Sequence, residues 1–194
     1  MKLKLLSVAL ISASALLASC SSPTISYQDP NAVNNLTTNF SQNDLRAVAQ
    51  DMSNELIQSG KMNRCKSFTI SPVANKTDQY VDTSVMTNAM ADTLTNSSAV
   101  NSVYVVSTQE MGNQGNELNR QADSGMYDQA NAAKKGKMRG AQCRIDGSLT
   151  SDTSVGPDGK TTLVSYTFFV QMIDVQQGAA VWRNSKNISK IKKY

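Results

Sequence analysis

Apolar residues in this chain follow two different periods. Leu45, Val48, Met52 and Leu56 recur every three to four residues, which is the spacing of one helix face. Ser41 with Asp44 three residues on is a capping-box start, and Gly60 supplies a C-terminal stop. Val85, Met86, Ala89, Met90 and Leu94 repeat the pattern and predict a second helix from about Asp82. Past residue 140 the period falls to two. Ile145 to Ser151 reads as a strand, Gly156-Pro157-Asp158-Gly159 as a turn, and Leu163 to Val175 as a long strand with Tyr166, Phe168, Val170 and Met172 on one face. Gln177-Gly178 then turns into a last strand around Ala180-Val181-Trp182.

Shorter signals fill the middle. Phe68 to Val73 predicts a strand, followed by a loop over Ala74-Asn75-Lys76-Thr77-Asp78. Val103-Tyr104-Val105-Val106 predicts a short strand of the buried type. Gln109 to Gly140 is polar; a helix is expected over Asp128 to Arg139, closed by Gly140, with Asn119 to Ser124 as an additional short turn. The order from Phe68 onward is β-α-β-α-β with a trailing antiparallel meander. Right-handed crossovers then place the first three strands parallel and adjacent. The fold class is α/β (α+β): a single domain with a mixed central sheet flanked by helices, and no internal repeat.

The N-terminus follows neither period. Lys2 and Lys4 precede an uncharged run from Leu5 to Leu17, and Leu17-Ala18-Ser19-Cys20 reads as a bacterial lipobox. Residues 1–19 are expected to be a lipoprotein signal peptide, with acyl chains attached at Cys20 after cleavage. Two or more acyl chains hold a protein stably on a membrane where one holds only marginally. An ordinary cleaved signal with a chance cysteine is the alternative. Nothing downstream offers a second apolar run long enough to span a bilayer. Residues 20–40 form the lipidated N-terminus and a polar, flexible linker, and residues 41–194 the globular domain. Twenty extended residues reach roughly 65–70 Å. Ser21 and Ser22 after the cysteine favour outer-membrane over inner-membrane retention, with the domain facing the periplasm.

Loss of residues 1–19 leaves 175 of 194 residues and lowers the net charge from +4 to about +2. That balance does not argue for nucleic acid. The positive excess gathers at Lys134, Lys135, Lys137 and Arg139, and in a tail with Lys186, Lys190, Lys192 and Lys193. These read first as a solvated helix face and a soluble tail, or else as a weak contact with an acidic partner or anionic polymer. Apart from Cys20 there are two cysteines, Cys65 and Cys143, each starting a strand-like stretch. If those strands are parallel neighbours, both thiols sit at one end of the sheet and an oxidising periplasm permits a bridge. Closing that loop would stabilise by roughly 4–5 kcal/mol on the entropic account. Two buried free thiols are the alternative.

Candidate chemistry is sparse. The sequence has no histidine, which removes the commonest general base, the usual triads and most zinc sites. Gly112-Asn113-Gln114-Gly115 lacks the Lys-Ser/Thr of a phosphate loop. Asp146, Asp152 and Asp158 cluster around one hairpin, and a glycosidase pair could be assembled only from distant carboxylates. No catalytic residue, metal site or cofactor is assigned.

Several of these segments, taken in order, resemble the LpoB family of outer-membrane lipoproteins that activate penicillin-binding proteins. They are Ile70 to Leu94, containing Asn75-Lys76-Thr77 and Val81-Asp82-Thr83; Ala132-Ala133-Lys134-Lys135-Gly136-Lys137 leading to Gly140-Ala141; Asp146-Gly147-Ser148-Leu149-Thr150-Ser151; and Phe168 to Val175 closing with Gln177-Gly178-Ala179-Ala180-Val181-Trp182. The resemblance, with the lipobox, covers nearly the whole chain. It implies a fold similar to the TolB N-terminal domain and a monomer that binds a bifunctional class A penicillin-binding protein, a peptidoglycan synthase, and stimulates it. The linker here holds only Pro23 and Pro30, shorter and poorer in proline than in the best-known relatives. No family motif fixes partner-contacting residues; Asn75 to Asp78 and Lys134 to Arg139 are the first places to mutate. An envelope secretion or assembly lipoprotein similar to the curli pore subunit is the competing reading. It requires paired membrane-spanning hairpins, and only Thr161 to Val175 has that length and alternation. A ligand-binding module lacks any pocket motif.

Overall fold

Helix α1, Gln42–Gln58, begins where Ser41 leaves extended backbone, and it is the computed structural model's first regular element over the described residues, 38–193. The Ser41 hydroxyl accepts from the Asp44 N–H while the Asp44 carboxylate accepts from the Ser41 N–H at 2.9 Å, a reciprocal cap. Leu45, Val48, Met52 and Leu56 form its buried stripe. Gly60, at φ 68°, takes the left-handed turn that ends the helix. A 3-10 turn, Lys61–Arg64, leads into strand β1, Ser67–Ile70.

After Ile70 the chain leaves the ladder, tucks Val73 into the core and rejoins the same neighbour as β2, Ala74–Lys76. Helix α2, Ser84–Thr95, holds that detour from both sides. The Thr83 hydroxyl donates to the Val73 carbonyl at 2.6 Å, and the Val73 N–H donates to the Thr87 hydroxyl at 3.1 Å. Ala74 to Lys76, expected as loop, is therefore a short parallel strand. All three of its residues are exposed, so backbone pairing and not apolar content makes it β.

The sheet has the order β3-β1-β4-β5-β6, with β2 also on β4. Strand β3 is Val103–Tyr104, β4 is Cys143–Val155, β5 is Thr161–Asp174 and β6 is Ala179–Lys193. Strands β1, β3 and β4 run parallel, and β4-β5-β6 is an antiparallel meander. The class is the mixed α+β arrangement expected. Two details depart from expectation. Strand β3 is an edge strand of two residues, and Val103 in it and Val106 just beyond it are exposed, because nothing pairs with its outer side among the described residues. The lysine-bearing tail is no tail: β6 pairs with β5 along its whole length.

The core lies between the helices and one face of the sheet. Val164, Tyr166, Phe168, Val170 and Met172 of β5 and Ile145 and Leu149 of β4 meet Met86, Met90 and Leu94 of α2 and the α1 stripe. Gly147 is where β4 must lack a side chain, since a Cβ there would stand 3.1 Å from both Phe168 and Val73.

The largest departure is between β3 and β4. Helix α3 runs from Thr108 to Asp123, and the stretch expected to be helical, Asp128 to Arg139, consists of turns and irregular chain. Ser107 and Glu110 form a second capping box, which starts the helix well ahead of the expected turn. Bidentate pairing of Arg120 with Glu117 supports its last turns. From 128 to 139 the only large apolar side chain, Met138, is exposed, so a helix there would have nothing to bury.

Candidate functional site

Cys65 and Cys143 are joined by a disulfide, with Cα atoms 5.9 Å apart, at the end of the sheet where β1 and β4 begin. Neighbouring hydrogen bonds tie the same two segments together. The Lys66 N–H donates to Gln142 Oε1 at 2.8 Å, the Ser67 hydroxyl donates to the Gly140 carbonyl at 2.8 Å, and the Gln142 N–H donates to the Ser67 carbonyl at 3.0 Å. Through these bonds the basic stretch ending at Arg139 meets a second cationic segment, Lys61, Arg64 and Lys66. Sequence reasoning singled out only the first. Lys61, Arg64 and Lys66 are interleaved with the buried Met62 and Cys65 and so form no continuous run, and only proximity to the cysteine pair would have drawn them in.

The resulting end carries a net positive charge. Lys61, Arg64, Lys66, Lys134, Lys137 and Arg139 are all exposed, and none forms an ion pair among the described residues. Carboxylates nearby are each held locally. Asp123 takes the Lys135 ammonium at 2.7 Å and Asp146 takes Arg144 at 2.9 Å. Asp128 and Asp174 accept only uncharged N–H groups of their own turns, so their two negative charges remain and offset part of the six positive ones. Exposed Met126 and Met138 lie in the same loop. Tyr127 sits under the Arg120 guanidinium at 5.1 Å.

The incoming chain reaches the domain elsewhere. Phe40 stacks on Tyr166 with ring centroids 4.5 Å apart, the Tyr166 hydroxyl donates to the Thr38 carbonyl at 3.3 Å, and the Asn39 carbonyl accepts from Lys190 at 3.1 Å. Lys190 pairs through Val164 with Thr153, ten residues along β4 from Cys143, so about 33 Å separates this point from the basic end at the usual strand rise. Cys20 and most of the expected linker lie outside the described residues.

Three bridges lock β6 onto α1 in between. Asn184 donates to Glu55, Lys186 pairs with Asp51, and Lys190 pairs with Asp44 at 2.6 Å. Burial alone would push the Asp44 carboxyl up. The Lys190 hydrogen bond, the two Ser41 hydrogen bonds and the Lys190 charge outweigh it and hold that carboxyl below its ordinary range. The tail lysines Lys186 and Lys190 are thus structural clamps.

The other sequence-picked stretch, Asn75 to Asp78, is a self-bonded loop. Asn75 Oδ1 accepts from the Thr77 N–H and hydroxyl at 3.0 and 2.8 Å, and the Asp78 N–H donates to the Ser151 hydroxyl at 3.3 Å. It presents Tyr80 almost fully to solvent. The hairpin carboxylates do not assemble. Asp146 and Asp152 are six residues apart on one strand, roughly 20 Å, and Asp158 spends its oxygens on Lys160 and Thr161 of its own turn. Those turn hydrogen bonds lower its pKa. Among the described residues no cluster of three potential metal ligands occurs, and no helix is long and apolar enough to cross a membrane. The β5 face with ten-residue alternation, which a membrane hairpin would turn to lipid, is buried in the core.

Known proteins give the family. The chain is similar in structure to the LpoB C-terminal domain from Salmonella enterica, at 15% identity over 75% of this chain and 98% of that one, with a TM-score of 0.46. It is similar to the Escherichia coli LpoB C-terminal domain at 14% identity over the same shares, TM-score 0.44. It is also similar to lipoprotein GNA1162 from Neisseria meningitidis at 18% identity over 64% of this chain and 82% of that one, TM-score 0.40. No curated protein matches the sequence significantly. The family profile described as peptidoglycan-synthase activator LpoB matches residues 44–188, most of the chain and nearly all of the domain. The chain therefore belongs to the LpoB family of peptidoglycan-synthase activators.

Proposed function

We propose that the protein is an outer-membrane lipoprotein, acylated at Cys20, that binds a bifunctional class A penicillin-binding protein in the periplasm and stimulates its synthesis of peptidoglycan. The observation that carries this reading is the family match over residues 44–188. The Leu17-Ala18-Ser19-Cys20 signature supports the anchor, and the bridged Cys65 and Cys143 suit an oxidising compartment. Such a protein works without chemistry of its own. It binds one conformation of the synthase more tightly than another and shifts the population toward it.

Adding the mature protein to the class A synthase of the same organism at stoichiometric ratio should raise its rate of glycan polymerisation. Absence of both binding and stimulation overturns the activator reading. Intact-mass measurement of membrane-extracted protein tests the anchor separately: acylation at Cys20 adds the mass of its lipid, and Cys20→Ser removes it.

A further inference from the structure

We propose that the cationic end around the Cys65–Cys143 bridge is the surface that docks onto an acidic face of the synthase. The inference rests on the activator reading and names its contact surface. Three observations carry it. Lys61, Arg64 and Lys66 come from the segment before β1, and Lys134, Lys137 and Arg139 from the segment before β4; hydrogen bonds from Lys66 and Ser67 to Gln142 and Gly140 set the two segments side by side next to Arg139. All six side chains are exposed and have no ion-pair partner among the described residues, whereas Lys135, Arg144, Lys186 and Lys190 are each paired within the domain. The end also lies about 33 Å along the sheet from where the chain from the anchor joins the domain, so it is carried away from the anchored side.

A partner of opposite charge is what such a surface recognises. Uncompensated like charges held together repel, and an acidic face relieves that repulsion while speeding encounter. The disulfide and the Ser67 and Gln142 bonds fix the two cationic segments relative to each other, so the pattern is already arranged before the partner arrives. Met126 and Met138, exposed in the same loop, add adaptable apolar contact.

The test uses the mature lipoprotein and the purified class A synthase of the same organism, with binding measured from low to physiological salt. The wild type should bind and weaken as salt rises. A variant carrying Arg64→Glu, Lys66→Glu, Lys137→Glu and Arg139→Glu should bind roughly 10- to 100-fold more weakly, mainly through slower association, with a flattened salt dependence. A Gln version of the same four substitutions should fall between the two. Lys160→Glu with Lys193→Glu, away from this end, should bind like wild type. Thermal unfolding of every variant near the wild-type midpoint shows that the fold is kept. If the wild type binds and the quadruple variant binds equally well, the docking surface is overturned while the activator reading stands. If the wild type does not bind, the activator reading falls and this surface with it. If the quadruple variant keeps synthase binding but loses binding to purified peptidoglycan sacculi, the occupant is anionic polymer and the proposal is overturned.

Discussion

Strand β5 and helix α3 are of similar length, 14 and 16 residues, yet they are held in opposite ways. Every second residue of β5 from Val164 to Met172 is buried, and both of its edges are paired. Helix α3 has no fully buried side chain among its described residues, and its support comes from an end cap and surface pairs. The contrast separates two kinds of stability. One kind is shared by the whole domain, because removing a piece opens a hole that many neighbours line. The other is local, because removing a piece frays only its own turn.

The comparison is sharpest at Phe168, whose ring lies over Gly147. Phe168→Ala should cost about 3–5 kcal/mol of global stability, read from denaturant unfolding. Leu118→Ala on α3 should cost well under that. Equal losses would show that α3 is docked more firmly than its half-exposed side chains indicate. Next in size is the bridge. Cys65→Ser with Cys143→Ser should lose about 2–5 kcal/mol, and mass spectrometry of non-reduced peptides should find the two cysteines linked in the wild type.

The Asp44–Lys190 clamp comes third. Asp44→Ala removes one partner of a buried pair and should cost about 2–3 kcal/mol, the low side for such pairs because Lys190 keeps some water contact. Its pH dependence has a definite sign. The folded-state carboxyl titrates below its ordinary 3.8, so the unfolded chain takes up the proton first. Stability from this group is complete at neutral pH and drains away as pH falls below about 4. Melting midpoints followed from pH 7 to pH 3 should therefore drop more steeply for the wild type than for Asp44→Asn. The smallest effect belongs to α3: Ser107→Ala should cost about 1 kcal/mol locally. It should speed amide exchange at the start of that helix while leaving the global midpoint nearly unchanged.

The same division explains what was legible beforehand. Leu45, Val48, Met52 and Leu56 announce α1, and the alternation through Phe168 announces β5, because burial writes a period into the sequence. Strand β2 and most of β6 carry no such period. Ala74 to Lys76 is exposed, and β6 mixes lysines and asparagines with single apolar residues, since its inner face meets acids of α1 as often as the core. Helix α3 carries only the capping-box spacing of Ser107 and Glu110 as a signal, because it buries no side chain among its described residues and so writes no apolar period into the sequence. For the cationic end, Lys134 to Arg139 was visible as a run. Lys61, Arg64 and Lys66 were not, because what unites them with that run is the meeting of β1 and β4.

The three bridges from β6 to α1 have a mechanical consequence. They fasten α1, the helix that follows Phe40, directly to the edge strand β6, so a pull applied at Phe40 is delivered to the sheet as a whole and not to a fraying terminus. The sheet between that point and the Cys65–Cys143 end then behaves as one stiff element about 33 Å long.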